Sequence, residues 1–169
     1  MSILALDLGA RTGWALSDDN KMITSGVVQI KQDRWQGGGM RFLRFRAWLD
    51  EIHRFSGGFD QLYYEQVRRH AGTDASHLYG GWLAILEVWC EQNSIAYAGV
   101  PVGTIKKHAT GKGNANKAAM IAAAQARGFS PADDNEADAI AILLWRSRRR
   151  EGWPDGYALH SQGLRRPSP

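Results

Sequence analysis

Apolar residues recur at two spacings along the chain, and these spacings predict alternating strands and helices. Short apolar runs predict five strands, at residues 2–8, 12–17, 22–31, 61–67 and 95–102. Apolar side chains at helical spacing predict five helices, at residues 40–55, 75–93, 103–109, 115–127 and 134–149. The predicted order is three strands, a helix, a strand, a helix, a strand and three helices, which is an α/β arrangement.

Length and composition indicate one folded domain. The 169 residues are 44% hydrophobic and 22% charged, which provides enough apolar side chains for a core. Pro and Gly interrupt any periodicity near the end, so we expect a domain over residues 1–150 and an extended or flexible tail over 151–169. No run approaches the roughly 18 apolar residues of a membrane span, and the first residues lack the features of a signal peptide. We therefore expect a cytoplasmic protein without membrane contact.

The charge of the chain favours an anionic partner. The formal net charge is +4, and 15 of the 21 basic residues are arginines, whose planar guanidinium groups suit phosphate contacts. A glycine-flanked lysine, Lys112, lies between Gly111 and Gly113, where backbone amides could approach a phosphate or the glycines could simply form a turn. The segment lacks the spacing of a nucleotide-binding P-loop, so we expect no nucleotide cofactor.

Three acids lie in unusually apolar surroundings. Asp7 falls inside the first predicted strand, Glu65 near the end of the fourth, and Asp138 within an almost entirely apolar helix. An isolated buried carboxylate is costly, so each acid either has a basic partner or joins the others around a metal ion. Oxygen ligands would favour Mg²⁺, with Mn²⁺ able to replace it. Asp134 lies one helical turn before Asp138 and either ligates the same ion or caps the helix.

Several short motifs occur in order between residues 3 and 145 and together resemble the RuvC Holliday-junction resolvases. They are Asp7-x-Gly9, Thr12-Gly13-Trp14-Ala15, Tyr64-Glu65-Gln66-Val67, Val100-Pro101 with Ile105-Lys106, Gly111-x-Gly113 with Lys117, and Glu136-Ala137-Asp138-Ala139. The first motif is closer in form to phage-borne and other divergent members. The resemblance implies an RNase H-like fold with a five-stranded mixed sheet and helices on both faces. It also implies a homodimer that cuts four-way DNA junctions with Mg²⁺.

By matching positions, Asp7, Glu65 and Asp138 resemble the catalytic carboxylates of that family, and Lys106 and Lys117 resemble its basic residues near the cleaved strand. The chain departs from the family pattern at two positions. Asn135 stands where the family commonly has Asp or His, so the fourth metal ligand is either Asn135 or Asp134. Arg68 stands where bacterial members often place an aromatic residue that stacks at the crossover.

These residues predict phosphodiester hydrolysis with two metal ions, in which Asp7 bridges the ions and Lys117 stabilises charge on the phosphate or orients the water. The predicted DNA contacts are Arg11, Arg68, Arg69, Lys106, Lys107, Lys112 and Lys117. The alternatives are a nuclease for other branched DNA or for RNA–DNA hybrids, and a non-catalytic protein that binds branched DNA. Trp82, Leu86 and Trp89 share one face of the second helix and form either core or an apolar dimer interface.

Overall fold

A computed structural model of the chain describes residues 1–19, 21–67 and 72–148 and shows a mixed sheet between two layers of helices. The strands in these residues are β1 (Ile3–Asp7), β2 (Arg11–Ser17), β3 (Ile23–Gln29), β4 (Gln61–Gln66) and β5 (Ala96–Pro101). The helices are α1 (Met40–Phe55), α2 (Thr73–Gln92), α3 (Val102–Thr110), α4 (Lys117–Gln125) and α5 (Asp134–Arg148). The predicted order of strands and helices is confirmed.

The strands are arranged in the order β3, β2, β1, β4, β5. β1 pairs antiparallel with β2 and parallel with β4, and β4 pairs parallel with β5. The sheet is therefore the five-stranded mixed sheet that the sequence predicts. Most boundaries differ from the predicted ones by one or two residues. At the start of α4, which is Lys117 rather than 115, the cause is visible: the Asn116 side chain accepts a hydrogen bond from the backbone N–H of Ala119 at 2.9 Å and caps the helix.

Both faces of the central strand β1 are buried. Leu4 and Leu6 belong to a core cluster with residues of α1 and α2, whereas Ile3 and Ala5 belong to a second cluster with residues of α3, α4 and α5. Successive side chains of a strand point to opposite faces. Asp7 therefore points to the same face as Ala5, which is the face that α5 covers.

The stripe formed by Trp82, Leu86 and Trp89 lies in the core beneath α1. All three side chains are at most 1% exposed, and the ring of Trp82 meets Phe45 edge-on at 5.1 Å between centroids. Trp89 also donates a hydrogen bond from Nε1 to Asp50 at 2.7 Å. The core interpretation is confirmed, and these three side chains are not an exposed dimer interface.

Within the described residues, no helix combines the length and the apolar character that crossing a membrane requires. Arg68, Arg69 and the predicted tail at 151–169 lie outside the described residues, so the domain boundary near residue 150 stays a prediction.

A close contact between α5 and β2 depends on a glycine. A Cβ atom added at Gly13 would lie 1.9 Å from the backbone oxygen of Asn135 and 2.7 Å from the backbone nitrogen of Glu136. These are backbone atoms of the first turn of α5, so they cannot rotate away as a flexible side chain would. Any side chain at position 13 must push the start of α5 off the sheet.

We expect Gly13→Ala to lower the free energy of unfolding by about 1–3 kcal/mol, the usual cost of overpacking a core. Denaturant unfolding followed by circular dichroism measures this change. The matched control is Gly80→Ala, in α2, where nothing lies within 4 Å of the added Cβ. It should raise stability by about 0.5–1 kcal/mol because alanine favours the helix. Equal stability of Gly13→Ala and the wild type would contradict the packing argument.

Candidate active site

The parallel pairing of β1 and β4 places two carboxyl groups side by side. Leu6 is opposite Tyr64 in the register, so the next residues along each strand, Asp7 and Glu65, are neighbours at the carboxyl ends. Leu6 and Tyr64 face the cluster beneath α1 and α2. Asp7 and Glu65 therefore face α5, and a hydrogen bond joins their carboxyl groups.

Helix α5 brings two more acids to the same place. Gly13, which the backbone of Asn135 contacts, is the register partner of Asp7, so the first turn of α5 lies beside Asp7. Asp134 and Asp138 are one helical turn apart, and both raise the pKa of Asp7 through their charge. Four acidic side chains from β1, β4 and α5 thus meet at one edge of the sheet.

Burial and mutual repulsion make these acids easier to protonate than usual. Burial is the main cause of the raised pKa of Asp7, and the charges of Glu65 and Asp138 add to it. Burial also raises the pKa of Glu65, and the hydrogen bond with Asp7 and the charge of Lys106 partly offset this rise. For Asp138, burial and then the charge of Glu65 raise the pKa to about 7. The site therefore carries more negative charge than its surroundings favour, which suits a bound cation.

Two lysines lie beside the carboxylates. Lys117, the first residue of α4, places its Nζ 2.5 Å from Oδ2 of Asp134, and this hydrogen bond raises the pKa of Lys117. Lys106, in α3, lowers the pKa values of both Glu65 and Asp138 through its charge. The structure thus brings both predicted lysines to the acids, and their catalytic roles remain predictions.

The cap of α5 distinguishes the acids at its start. Oδ1 of Asp133 accepts a hydrogen bond from the backbone N–H of Glu136 at 3.0 Å, so Asp133 is the residue that caps the helix. Glu136 is buried and accepts hydrogen bonds from Ser25 Oγ at 2.7 Å and from the backbone N–H of Ala132 at 2.8 Å. Asp134 takes no part in this cap, and its carboxylate pairs with Lys117 instead.

The Asn135 side chain turns toward the cap. Its Nδ2 donates to Oδ2 of Asp133 at 3.3 Å, and its backbone oxygen lies against Gly13. Asp134, by contrast, interacts with the carboxylates of Asp7 and Asp138. Of the two candidates for a fourth ligand, Asp134 is the one whose charge acts on the other acids.

The predicted DNA contacts have different surroundings. Nε of Arg11 forms an ion pair with Asp133, which ties the start of β2 to the start of α5. Lys107 is exposed on α3, and Lys112 is exposed in the segment between α3 and α4. Arg68 and Arg69 lie outside the described residues.

Tyr79 supports the end of β4, a role that the sequence did not reveal. Its hydroxyl group donates to the backbone oxygen of Glu65 at 2.7 Å and accepts from the backbone N–H of Val67 at 3.3 Å. The tyrosine occurs in a helix rich in apolar residues, where its ring gives no sign of these partners. Tyr79 thus fixes the backbone that carries Glu65.

The acids have the chemistry of a divalent metal site. Oδ1 of Asp138 is buried and has no hydrogen-bond partner among the described residues, so it is available to a cation. Carboxylate oxygens are the ligands that Mg²⁺ and Mn²⁺ prefer. In the part of the chain that the structure describes, no group of three or more His, Cys, Asp or Glu side chains is already closed around one point. The carboxyl groups of Asp7 and Glu65 share a hydrogen bond, and that of Asp134 pairs with Lys117. A bound ion would replace these interactions and draw the carboxylates together.

The raised pKa values predict how stability depends on pH when metal is removed. Between about pH 4 and about pH 7 the folded chain binds more protons than the unfolded chain. The contribution of these acids to the free energy of unfolding is therefore fully present below about pH 4. That contribution is lost as the pH rises through about 7, the folded-state value for Asp138. We therefore expect the midpoint of thermal unfolding in EDTA to fall between about pH 5.5 and about pH 8.

Asp138→Asn should reduce this fall and raise the midpoint at about pH 8, because it removes a buried charge. The control is Asp60→Asn, an exposed acid at the opposite edge of the sheet, where Asp60 accepts a hydrogen bond from the backbone N–H of Ser2. An unchanged pH dependence in Asp138→Asn would show that this carboxyl group is not strained at neutral pH.

Tyr79→Phe should loosen the end of β4. The backbone N–H of Val67 loses its acceptor, so its hydrogen exchange, followed by nuclear magnetic resonance, should become faster. The expected loss of stability is about 1 kcal/mol. Tyr97→Phe, which removes a hydroxyl group that donates to Glu91, is the control and should leave the exchange of Val67 unchanged. Equal exchange in both variants would contradict the role of Tyr79.

Comparison with known proteins places this arrangement in a known fold. None of the protein-family models matches the chain, and no curated protein does. Among solved structures, RuvC of T. thermophilus in complex with a Holliday junction substrate has a TM-score of 0.71 at 16% identity, over 89% of this chain and 94% of that chain. A second Thermus thermophilus RuvC structure has a TM-score of 0.67 at 18% identity, over 89% of this chain and 96% of that chain. The yeast mitochondrial Holliday junction resolvase Ydc2 has a TM-score of 0.60 at 10% identity, over 88% of this chain and 80% of that chain. The chain therefore has the RNase H-like fold of the RuvC-type resolvases.

Proposed function

We propose that this protein is a divalent-metal-dependent endodeoxyribonuclease that resolves four-way DNA junctions. One observation carries the proposal: four acids from β1, β4 and α5 meet at one edge of the sheet, next to Lys106 and Lys117. Among the similar structures named above, one is RuvC in complex with a Holliday junction substrate and another is a yeast mitochondrial Holliday junction resolvase. The fold and the local chemistry thus support the same class of reaction.

Asp7, Glu65, Asp138 and Asp134 would hold the metal ions. When bound, the ions would supply an activated water and stabilise the leaving oxygen of the phosphodiester. Asp7 lies on the central strand between Glu65 and α5, which suits a ligand shared by two ions. We expect Mg²⁺ to be the ion used, with Mn²⁺ as a substitute.

The lysines would act on the substrate phosphate. The Lys117 ammonium group is largely exposed beside Asp134, so it can move from the carboxylate to a phosphate oxygen at the same edge. Lys106 is partly buried, and its charge favours the ionised forms of Glu65 and Asp138, which are the forms that bind metal. Lys107 and Lys112 would extend this positive surface along the DNA.

Cleavage explains the site better than binding alone. A protein that only bound DNA would gain nothing from acids beside the phosphates, because like charges repel. The fold nevertheless keeps Asp7, Glu65 and Asp138 close together against the cost of burial. Cutting two opposed strands of a junction also requires two active sites, so we propose that the working form is a homodimer.

The test is cleavage of labelled four-way junction, flap DNA, linear duplex and RNA–DNA hybrid with Mg²⁺, Mn²⁺ or EDTA. We expect paired symmetric nicks in the junction, no cleavage in EDTA, and no cleavage by Asp7→Asn. Asp60→Asn is the matched control: its exposed carboxylate lies at the opposite edge of the sheet, so cleavage should persist.

The outcomes of this assay separate the alternatives. Cleavage by Asp7→Asn near the wild-type rate would overturn the catalytic assignment. Preferential cutting of RNA–DNA hybrid or flap DNA would show that the proposed substrate is wrong. Tight binding of junctions without cleavage would identify a non-catalytic binder. Within the same assay, Asp134→Asn should need more Mg²⁺ than Asn135→Ala, because Asp134 interacts with the other acids and Asn135 contacts the cap.

A further inference from the structure

The segment after β3 begins at the same edge of the sheet as the carboxylates. β3 and β1 both pair antiparallel with β2, so they run in the same direction and end at the same edge. Gln29 is opposite Arg11 in the register, and the backbone N–H of Ile30 donates to the oxygen of Ala10 at 2.7 Å. Residues 31–39 therefore start beside the turn that follows Asp7, and they lead into α1 on the opposite face of the sheet from α5.

This segment exposes a tryptophan to solvent. Trp35 is 89% exposed, which is more than any other large apolar side chain in the described residues. The guanidinium carbon of Arg34 lies 5.4 Å from the centre of the Trp35 ring. A single exposed apolar residue is ordinary on a protein surface, so its surroundings must show what it could bind.

Those surroundings are strongly basic. Residues 31–46 contain five basic residues and one acid, Asp33. Arg44 satisfies that acid: it forms an ion pair with Asp33 at 3.5 Å and donates to the backbone oxygen of Lys31 at 2.5 Å. Within the residues that the structure describes, Lys31 and Arg34 are exposed and form no ion pair. Their charge is left for an anionic partner.

We propose that the exposed segment of residues 31–35 binds the DNA substrate beside the cleavage site, with Trp35 stacked on an unpaired base and Lys31 and Arg34 against phosphates. The inference rests on the proposed function and adds a contact that none of the predicted DNA-binding residues provides. An aromatic ring flanked by cations suits nucleic acid, because the ring stacks on the base while the cations meet the backbone.

We expect Trp35 to bind a base that is unpaired and unstacked, because a continuous duplex leaves no face of a base open. In linear DNA each base is covered above and below by its neighbours, so a tryptophan gains little there. A branch point unstacks bases, and the sheet edge that holds the carboxylates is where such a branch must lie for cleavage. Trp35 is on the segment that starts at this edge, so it would lie beside one arm of the bound junction.

The experiment measures binding by fluorescence anisotropy in EDTA, with a labelled four-way junction and a linear duplex of the same sequence. Trp35→Ala should weaken junction binding about tenfold and leave duplex binding nearly unchanged, since stacking on one base has about this effect. Trp35→Phe should restore most of the affinity because it keeps an aromatic face. The matched control is Phe55→Ala, which removes a 77% exposed ring that Arg54 also covers at 5.5 Å. Phe55 is the last residue of α1, at the end of the helix far from residues 31–35, so we expect its replacement to leave junction binding unchanged.

Several results would overturn the inference. Wild-type binding by Trp35→Ala would do so, and so would an equal loss for junction and duplex or an equal loss in Phe55→Ala. A protein that cuts junctions while Trp35→Ala binds them normally would refute this inference and leave the proposed function intact. A wild type that binds neither DNA would refute both.

The charges can be tested separately by the salt dependence of binding. Arg34→Gln should lower the slope of log affinity against log salt by about one, as expected for one lost phosphate contact. An unchanged slope would remove Arg34 from the interface. Thermal unfolding of Trp35→Ala should match the wild type, because the side chain lies outside the core.

Discussion

The structure depends on the contact between the first turn of α5 and strand β2 at Gly13. Three other interactions hold the same turn: Asp133 caps it, Arg11 pairs with Asp133, and Glu136 accepts a hydrogen bond from Ser25 in β3. The cap fixes the backbone of α5 itself, the Arg11 pair joins α5 to β2, and the Ser25 hydrogen bond joins it to β3. Because Asp134 and Asp138 lie in the first two turns of α5, this contact also decides where two of the four acids lie.

The gathering of acids opposes the stability of the fold. Asp7, Glu65 and Asp138 each have a raised pKa, and burial is the first cause in every case. Lys106 and Lys117 relieve part of the repulsion, while the hydrogen bond between Asp7 and Glu65 relieves another part. Such an arrangement is retained at sites that use the strained charges, which is why perturbed carboxylates identify candidate active sites. The same reasoning explains why a bound cation should stabilise the fold.

The sequence predicted the sheet well because buried strands and amphipathic helices have different periods. It also predicted that Asp7, Glu65 and Asp138 lie together, because three acids flanked by apolar residues on separate elements need a shared explanation. The cap of α5 was harder: Asp133 and Asp134 are adjacent acids, and only the helix geometry shows that the first caps and the second faces the site. The Arg11–Asp133 pair joins positions 122 residues apart, and no local pattern indicates such a partner.

The topology explains why other functional features were visible only in three dimensions. Strands β1, β3 and β4 run in one direction, so the segments that follow them all leave the sheet at the edge where the acids lie. Lys106 and Lys117 approach that edge from the α5 side, whereas residues 31–35 lie between β3 and α1, the helix that covers the other face. A polyanion at the carboxylates would therefore meet positive charge on both sides of the sheet. These two groups are more than 70 positions apart in the chain, and the shared direction of three strands brings them to the same edge of the sheet.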